Sequence, residues 1–279
     1  MQKIVVAFDG LNYAKSSQDG AIYLAQLTGA HLVGVFLDDP TYNSYRIHEM
    51  LTKGSVTESS LRELNKTDAA TRKAAAEKFS KACQKEGIHF SVHHDRHLAL
   101  NDLKHESIYA DLLMISSAET FTHYKEKLPT RFIRDMLVDV QCPVLLLPSP
   151  FKPFEKLVML YDGEPASVHA IKMFGYLMSR LLTLDIEVVT VNPLGTGLHI
   201  PDNKLIKEYM KRHYPRATFT VLKGYPEFEI VKHLEAASTH SLVVLGANRR
   251  GMVSRWFRES MADVLMKGVK LPIFIAHNQ

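Results

Sequence analysis

The sequence predicts an α/β protein built from two tandem, doubly wound domains, and three observations support this prediction. The chain consists of two related halves, each half offers five short apolar strands, and helical segments alternate with those strands. Strands that are apolar throughout and alternate with amphipathic helices indicate a parallel sheet covered on both faces. A length of 279 residues suits two domains of ordinary size.

The repeat is clearest where each half begins. Residues 3–10 (KIVVAFDG) correspond to residues 156–163 (KLVMLYDG), so Asp9 corresponds to Asp162. Each run is typical of a buried strand that ends in an Asp-Gly turn. Because self-similarity on this scale indicates a duplicated folding unit, the second half is expected to repeat the architecture of the first.

Each half continues with a helix and four further strands. In the first half, Gly29 stands where a helix needs a left-handed C-terminal cap. In the second half, apolar residues recur along residues 170–181 at spacings typical of one helix face. The remaining predicted strands lie at residues 32–36, 89–92, 112–115 and 144–147, and in the second half at residues 187–191, 218–222, 242–245 and 273–276.

The first half is longer than the second by about 24 residues. The offset between equivalent positions falls from 153 at the Asp-Gly turns to 129 at Pro143 and Pro272. The excess is expected within residues 40–75, where a helix is predicted to begin near Ser59.

A proline-rich connector separates the halves. Residues 148–153 contain three prolines, which cannot continue a strand or a helix. The sequence therefore predicts domains at residues 1–149 and 154–279.

Composition and charge exclude several classes of protein. With 46% hydrophobic and 23% charged residues, the chain is neither disordered nor collagen-like. Two cysteines, Cys83 and Cys142, cannot build a disulfide framework, which predicts a reducing, cytoplasmic compartment. The first apolar run ends at Asp9, too early for a membrane span. A formal net charge of +4 is too small to indicate nucleic acid as a partner.

The repeat, the Asp-Gly openings and the closing run CPVLLL at residues 142–147 resemble the universal stress protein family in its tandem form. The resemblance extends from Lys3 to about His277. It implies a Rossmann-like domain with a five-stranded parallel sheet of order 3-2-1-4-5 in each half. It also implies that the halves pair through residues 143–148 and 272–276, and that two chains form a dimer.

Family members that bind ATP carry a Gly-x2-Gly-x9-Gly-Ser/Thr loop after the fourth strand. Here the pattern falls on Gly246, Arg249, Glu259 and Ser260, so two of the four positions match. Glycines let backbone amides approach phosphate oxygens, whereas Glu259 would bring a carboxylate beside them. Gly251 offers a glycine from a shifted position.

The first half departs further from the same pattern. Ser116 stands at the first glycine position, Glu119 at the second, and Pro129 or Thr130 at the third. Proline has no amide hydrogen to offer a phosphate. ATP is therefore a candidate cofactor of the C-terminal domain only.

By resemblance, Asp9 and Asp162 occupy positions near the ribose and adenine of a bound nucleotide, and Val191 occupies a position that contacts adenine. The alternative is that each Asp-Gly only makes a turn and that Val191 only packs in the core. The candidate ligand-binding residues are thus Asp162, Val191, Gly246, Arg249, Gly251, Ser260 and Asp9.

No catalytic or metal-ligating residue is predicted. The chain lacks a Gly-x-Ser-x-Gly elbow and a Gly-x-Gly-x-x-Gly fingerprint. His93 and His94 are adjacent on a predicted strand and should point to opposite faces, which disfavours a shared metal. The arginine-rich stretch 249–258 fits either an anion site or a helix start that buries Trp256.

The resemblance implies a non-catalytic stress-response protein that binds a ligand or regulates a partner, with degenerate nucleotide-binding loops. Two alternatives stay open. One is an ATP-binding switch or weak ATPase that uses the C-terminal domain. The other is a carrier of another small anionic or apolar ligand.

Overall fold

The computed structural model describes residues 1–39, 42–45, 57–95, 97–122, 124–193, 197–248 and 260–278. The first half contains β1 (Lys3–Phe8), α1 (Lys15–Thr28), β2 (His31–Leu37), α2 (Glu58–Lys85), β3 (Phe90–Asp95), α3 (Ala99–Ile108), β4 (Leu112–Ser116), α4 (Arg131–Asp139) and β5 (Val144–Leu147). The second half contains β6 (Lys156–Leu160), α5 (Pro165–Leu177), β7 (Asp185–Asn192), α6 (Asn203–His213), β8 (Thr218–Lys223), α7 (Pro226–Glu235), β9 (Ser241–Asn248), α8 (Met261–Gly268) and β10 (Ile273–Asn278).

Both halves have the predicted strand order. The first half runs β3-β2-β1-β4-β5 and the second β8-β7-β6-β9-β10, so each is a 3-2-1-4-5 sheet. Every pair of neighbouring strands inside a half is parallel. The α/β prediction, with two doubly wound Rossmann-like units, is confirmed.

The two sheets join at their last strands. β5 and β10 pair antiparallel, with Leu145 opposite Phe274, in the segments that the resemblance implied. The pairing makes one ten-stranded sheet rather than two separate sheets. Joining the edges satisfies backbone groups that two separate sheets would leave open to other partners.

Helices cover both faces of this sheet, and one hydrophobic cluster lies on each face. Alternate residues of β1 enter different clusters, Val6 one and Val5 the other. Each cluster contains residues from both halves, because the sheet is continuous across the junction. The halves therefore share both cores.

Most helices and strands begin and end close to the residues that the sequence predicted. Gly29 caps α1 with φ 71°, which a residue with a Cβ adopts only with strain. β5 has the predicted bounds, and α2 begins one residue before Ser59. β3 begins and ends later than predicted, because its polar end, which includes His93 and His94, still pairs with β2.

The connector between the halves is packed rather than loose. Phe154 is buried, and the Phe151 ring lies 5.6 Å from the ring of Tyr23 on α1. No helix among the described residues is both long and apolar enough to cross a membrane.

Candidate functional site

Three candidate residues of the second half meet at one edge of the sheet. β9, β6 and β7 are parallel neighbours, so their carboxyl ends lie together. Continuing the register places Asp162 level with Val191 and Gly246 level with Tyr161. Open α/β sheets bind ligands at this edge, which makes it the candidate ligand site of the second half.

The Asp162 side chain is exposed and makes a local turn. Its Oδ1 accepts a hydrogen bond of 2.9 Å from the Glu164 amide. Gly163 follows with φ 88°, and a Cβ there would lie 2.6 Å from Pro201. Gly163 is thus required both by its positive φ and by the close approach of the chain before α6.

The segment that contains Pro201 lies across the ends of β6 and β7. Asn192 is buried, and its Nδ2 donates hydrogen bonds to the carbonyl oxygens of Gly197 at 2.6 Å and His199 at 2.7 Å. The Tyr161 hydroxyl donates to the Pro201 carbonyl at 3.0 Å. Val191 is half-buried among apolar side chains. The protein's own chain therefore borders Val191, the residue for which the resemblance implied a contact with adenine.

Gly246 faces protein backbone. A Cβ on this residue would lie 2.3 Å from the carbonyl carbon and oxygen of Ala166 and 2.6 Å from the Ser167 nitrogen. Gly246 thus lets β9 pack directly against the first turn of α5.

Ser260 is the N-cap of α8. Its Oγ accepts a hydrogen bond of 3.1 Å from the Asp263 amide, and Asp263 Oδ2 accepts one of 3.2 Å from the Ser260 amide. This capping box satisfies amides at the helix start and puts a carboxylate at the end of the helix dipole that attracts anions. Arg134 Nε of α4 lies 3.7 Å from that carboxylate.

Two candidate residues, Arg249 and Gly251, lie outside the described residues, as does the rest of the stretch 249–258. The structural arrangement at this edge is therefore described for Asp162, Val191, Gly246 and Ser260 only.

The equivalent edge of the first half is closed. Asp9 is 2% exposed, whereas Asp162 is exposed. The Asp9 carboxylate accepts hydrogen bonds from the Leu11 amide at 2.8 Å and from the Tyr42 hydroxyl. Burial raises the pKa of Asp9, and the hydrogen bonds oppose this effect.

Tyr42 is held over Asp9 by Arg72 of α2. Arg72 Nη2 donates a hydrogen bond of 2.6 Å to the Tyr42 carbonyl, and Arg72 Nε lies 3.6 Å from Asp38 Oδ1. The same side chain lies against Gly10, where a Cβ would meet Arg72 Cγ at 2.9 Å. Tyr42 and Arg72 therefore occupy the space next to the Asp-Gly turn.

Glu119 completes this closed cluster. Its side chain is 4% exposed, and Oε1 accepts hydrogen bonds from the amides of Thr120 at 3.0 Å and Phe121 at 3.3 Å. Burial, followed by the charge of Asp9, raises the pKa of Glu119 to about 7. The Thr130 hydroxyl donates to the Glu119 carbonyl and caps α4.

This cluster is unsuited to a triphosphate. Two buried carboxyl groups, Asp9 and Glu119, lie where phosphates would need donors, and like charges repel. The Arg72 guanidinium beside them already contacts Tyr42 and Asp38.

The histidines and cysteines that could bind a metal or act as nucleophiles are either paired with carboxylates or buried. His93 Nδ1 lies 2.7 Å from Glu106 and His94 Nδ1 lies 3.7 Å from Asp38, so the two rings face different carboxylates. Among the described residues, no group of three or more His, Cys, Asp or Glu is placed to hold a metal ion. Burial raises the pKa of the Cys83 and Cys142 thiols to about 12, which keeps both protonated.

Sequence reasoning missed Tyr42, Arg72, Asn192 and Pro201 as residues of these edges. Tyr42 lies in the predicted insertion at residues 40–75. That insertion was the only feature of the sequence that indicated a difference between the two edges. Nothing in the local pattern indicates that a tyrosine there reaches Asp9, because the contact depends on how α2 packs.

The order of strands defines a tandem Rossmann-like protein, in which Asp162 is exposed at the carboxyl edge of the second half and Asp9 is buried at that of the first. Searches found no matching family model and no matching curated protein. Solved structures do match over the whole chain. A universal stress protein from Archaeoglobus fulgidus DSM 4304 is 14% identical, with 99% of this chain and 96% of that chain covered and a TM-score of 0.68.

A functionally unknown protein from Pseudomonas aeruginosa PAO1 is 12% identical, with 99% and 92% coverage and a TM-score of 0.64. The cytoplasmic domain of a prokaryotic cation chloride cotransporter is 12% identical, with 98% and 94% coverage and a TM-score of 0.51. The chain has the fold of a tandem universal stress protein. One fold serves several functions, so the residues of the site rather than the fold determine what the chain does.

Proposed function

We propose that the chain is a non-catalytic stress-response protein of the universal stress protein family, which binds a ligand or regulates a partner through degenerate nucleotide-binding loops. The observation that carries this proposal is the closed cluster in the first half. Asp9, Tyr42 and Glu119 are all buried, and a carboxyl group takes the place of a phosphate-binding glycine. The first half then acts as a scaffold for the second.

The second half is the ligand-binding half under this proposal. Asp162 is accessible, and the edge between β6, β7 and β9 is the remaining candidate site. Asp263 lowers the affinity of this edge for phosphate, because its carboxylate already occupies the first turn of α8. An ATP-binding switch or weak ATPase in this half is the alternative that a nucleotide titration tests directly.

We also propose that the two domains span residues 1–149 and 154–279, that the protein is cytoplasmic and that it forms a homodimer. The two buried free cysteines support a reducing compartment.

A carrier of another small ligand predicts a retained adduct, which native mass spectrometry of freshly purified protein detects.

We expect millimolar ATP with magnesium to leave the melting temperature unchanged. A ligand at 100 times its dissociation constant would stabilise the protein by about 2.7 kcal/mol, which thermal denaturation resolves. The same samples, assayed for released phosphate, test the weak ATPase.

If ATP does raise the melting temperature, the proposal is contradicted and two variants locate the site. Asp162→Ala would reduce the shift if the nucleotide lies at the carboxyl edge of the second half. Asp185→Ala is the matched control, because Asp185 is also exposed but lies at the opposite end of the strands.

A further inference from the structure

The two outer strands of the sheet differ in charge. β3 lies at one side of the sheet and β8 at the other, so each has one edge without a neighbouring strand among the described residues. β3 carries His93, His94 and Asp95, whereas residues 218–222 of β8 (TFTVL) carry no charge. Charged side chains on an outer strand discourage the addition of another strand. β3 is therefore protected by its own side chains, and β8 is not.

Basic residues lie at both ends of β8. Arg216 comes two residues before the strand, and Lys223 is its last residue. Both side chains are exposed, and neither lies within 4.0 Å of a carboxylate oxygen in the described part of the chain. Positive charges in these places keep an apolar strand from pairing with a copy of itself. They do not repel an acidic strand.

One side of α6 also faces β8. Lys207 Nζ lies 5.9 Å from the centre of the Phe219 ring on β8. Lys204 and Lys211 are three and four residues from Lys207, which places them on the same side of the helix. Tyr209, on the other side, faces α5 instead. The three exposed lysines are thus spread along β8 over about 10 Å.

These basic residues form one border around the outer strand. They are called the β8 basic border, which consists of Lys204, Lys207, Lys211, Arg216 and Lys223. Protection of β8 against self-pairing requires charge on or next to the strand, and the two residues at its ends supply that charge. Such protection does not require the three lysines on the helix.

The first half has no equivalent border. The registers of the outer strands make Ser91 of β3 equivalent to Thr218 of β8. At the same offset, the positions of the three α6 lysines are held in α2 by Glu77, Ser80 and Gln84. A helix in this place therefore does not need lysines in order to face solvent, and the basic border is a feature of the second half alone.

The two faces of β8 differ in what they offer to a neighbouring strand. Phe219 packs with the cluster that includes α6 residues, and Leu222 packs with the cluster that includes α7 residues. Because side chains alternate along a strand, a peptide beside β8 would present every second residue to the α6 lysines and the others to the α7 side. The first set would meet positive charge, and the second would extend the apolar surface around Leu222.

We propose that β8 accepts an extended peptide as an eleventh strand of the ten-stranded sheet, and that the β8 basic border selects a peptide in which acidic and apolar residues alternate. The open backbone groups of β8 call for a polypeptide, because the backbone of another strand satisfies them in register. The positive charges favour acidic side chains. The peptide lies beside β8 rather than at the strand ends, so this inference does not depend on which ligand the carboxyl edge binds.

A second copy of this chain fits the same edge less well. Antiparallel pairing of two β8 strands about a twofold axis would place both α6 helices on one face of the joined sheet. The lysines of the two helices would then approach each other, and like charges repel.

The first test is fluorescence anisotropy with a labelled peptide of about eight alternating Glu and Val residues, titrated at about 50 and 300 mM salt. We expect the peptide to bind the wild-type protein with an affinity that falls as salt rises. A peptide with Lys in place of Glu should not bind. The proposal is overturned if the Glu-Val peptide does not bind, or if the two peptides bind equally well.

Methylation of the peptide backbone distinguishes strand addition from attraction between charges. Alternate amides of an added strand point towards its neighbour. Two further peptides therefore carry N-methyl groups on every Val or on every Glu, and at least one of them should lose affinity about tenfold or more. If both bind as tightly as the unmodified peptide, the backbone makes no contact and the proposal is wrong.

Lys207→Glu with Lys211→Glu tests the basic border. This double variant should weaken binding of the Glu-Val peptide about tenfold or more at the lower salt concentration. The matched control is Lys81→Glu with Lys85→Glu on α2, which has the same spacing and changes the net charge equally. All four side chains are exposed, so circular dichroism and the melting temperature should match the wild type. An equal loss of affinity in both double variants would contradict the proposal, because only net charge would then matter.

Hydrogen exchange locates the peptide without any substitution. We expect the amides of residues 218–223 to exchange more slowly when the Glu-Val peptide is bound, and those of residues 90–95 on β3 to be unchanged. Binding without protection of β8 would refute strand addition. Protection of β8 that appears without peptide as the protein concentration rises would identify a second copy as the occupant, which also overturns the proposal.

Discussion

Glu119→Gln is expected to stabilise the protein at pH 8 by up to about 3 kcal/mol and to change little at pH 4.5. The pKa of Glu119 in the folded protein is about 7, above its ordinary value of 4.5, because the carboxyl is buried beside Asp9. Its contribution to stability is therefore complete below pH 4.5 and is lost as pH rises through 7. Gln keeps an oxygen that accepts from the Thr120 and Phe121 amides and carries no charge.

Urea denaturation at several pH values between 4.5 and 8 measures this effect as the difference between variant and wild type. All histidines are present in both proteins, so the difference isolates Glu119. Glu187 does not interfere, because the effect of its burial is outweighed by ion pairs with Lys156 and His233 and by a hydrogen bond from the Thr220 hydroxyl, which lower its pKa to about 2. Glu63→Gln, on the exposed face of α2, is the control and should be neutral. A variant with the wild-type pH dependence would show that Glu119 is not a buried acid.

Gly246→Ala is expected to destabilise the protein by about 3 kcal/mol. The new Cβ would lie 2.3 Å from the Ala166 backbone, which cannot move without shifting the start of α5 or strand β9. Both elements lie in the shared cores, so the shift would disturb packing on the sheet as well. Thermal or urea denaturation measures the loss.

Gly29→Ala is the control, because it measures the loss of stability that replacing a glycine causes without a steric clash. Gly29 has φ 71° and nothing within 4 Å of a new Cβ, so its substitution should cost only about 1 kcal/mol. If Gly246→Ala proved as stable as the wild type, the close approach to Ala166 would be wrong.

Most of the fold was predictable because it follows from residues close together in the chain. The apolar run of β1 and its repeat in β6 indicated buried parallel strands, and both have that role. Gly29 indicated the end of α1. Pairing through the last strands was implied by the resemblance, but the merging of two sheets into one required the observed register of β5 and β10.

The different exposure of the two strand-end aspartates could not be predicted from the sequence. Asp9 and Asp162 have nearly the same local sequence, and the repeat treated them alike. In the folded protein Asp9 is sealed by Tyr42, whereas Asp162 is exposed. The difference comes from the longer first half, whose α2 brings Arg72 onto the Tyr42 carbonyl.

Alternating helices and apolar strands were readable from the chain itself, since their spacing is a local property that secondary structure requires. Which strand-end carboxylate stays accessible was decided by tertiary contacts, because Glu119, Tyr42 and Arg72 come from separate segments that meet only after packing.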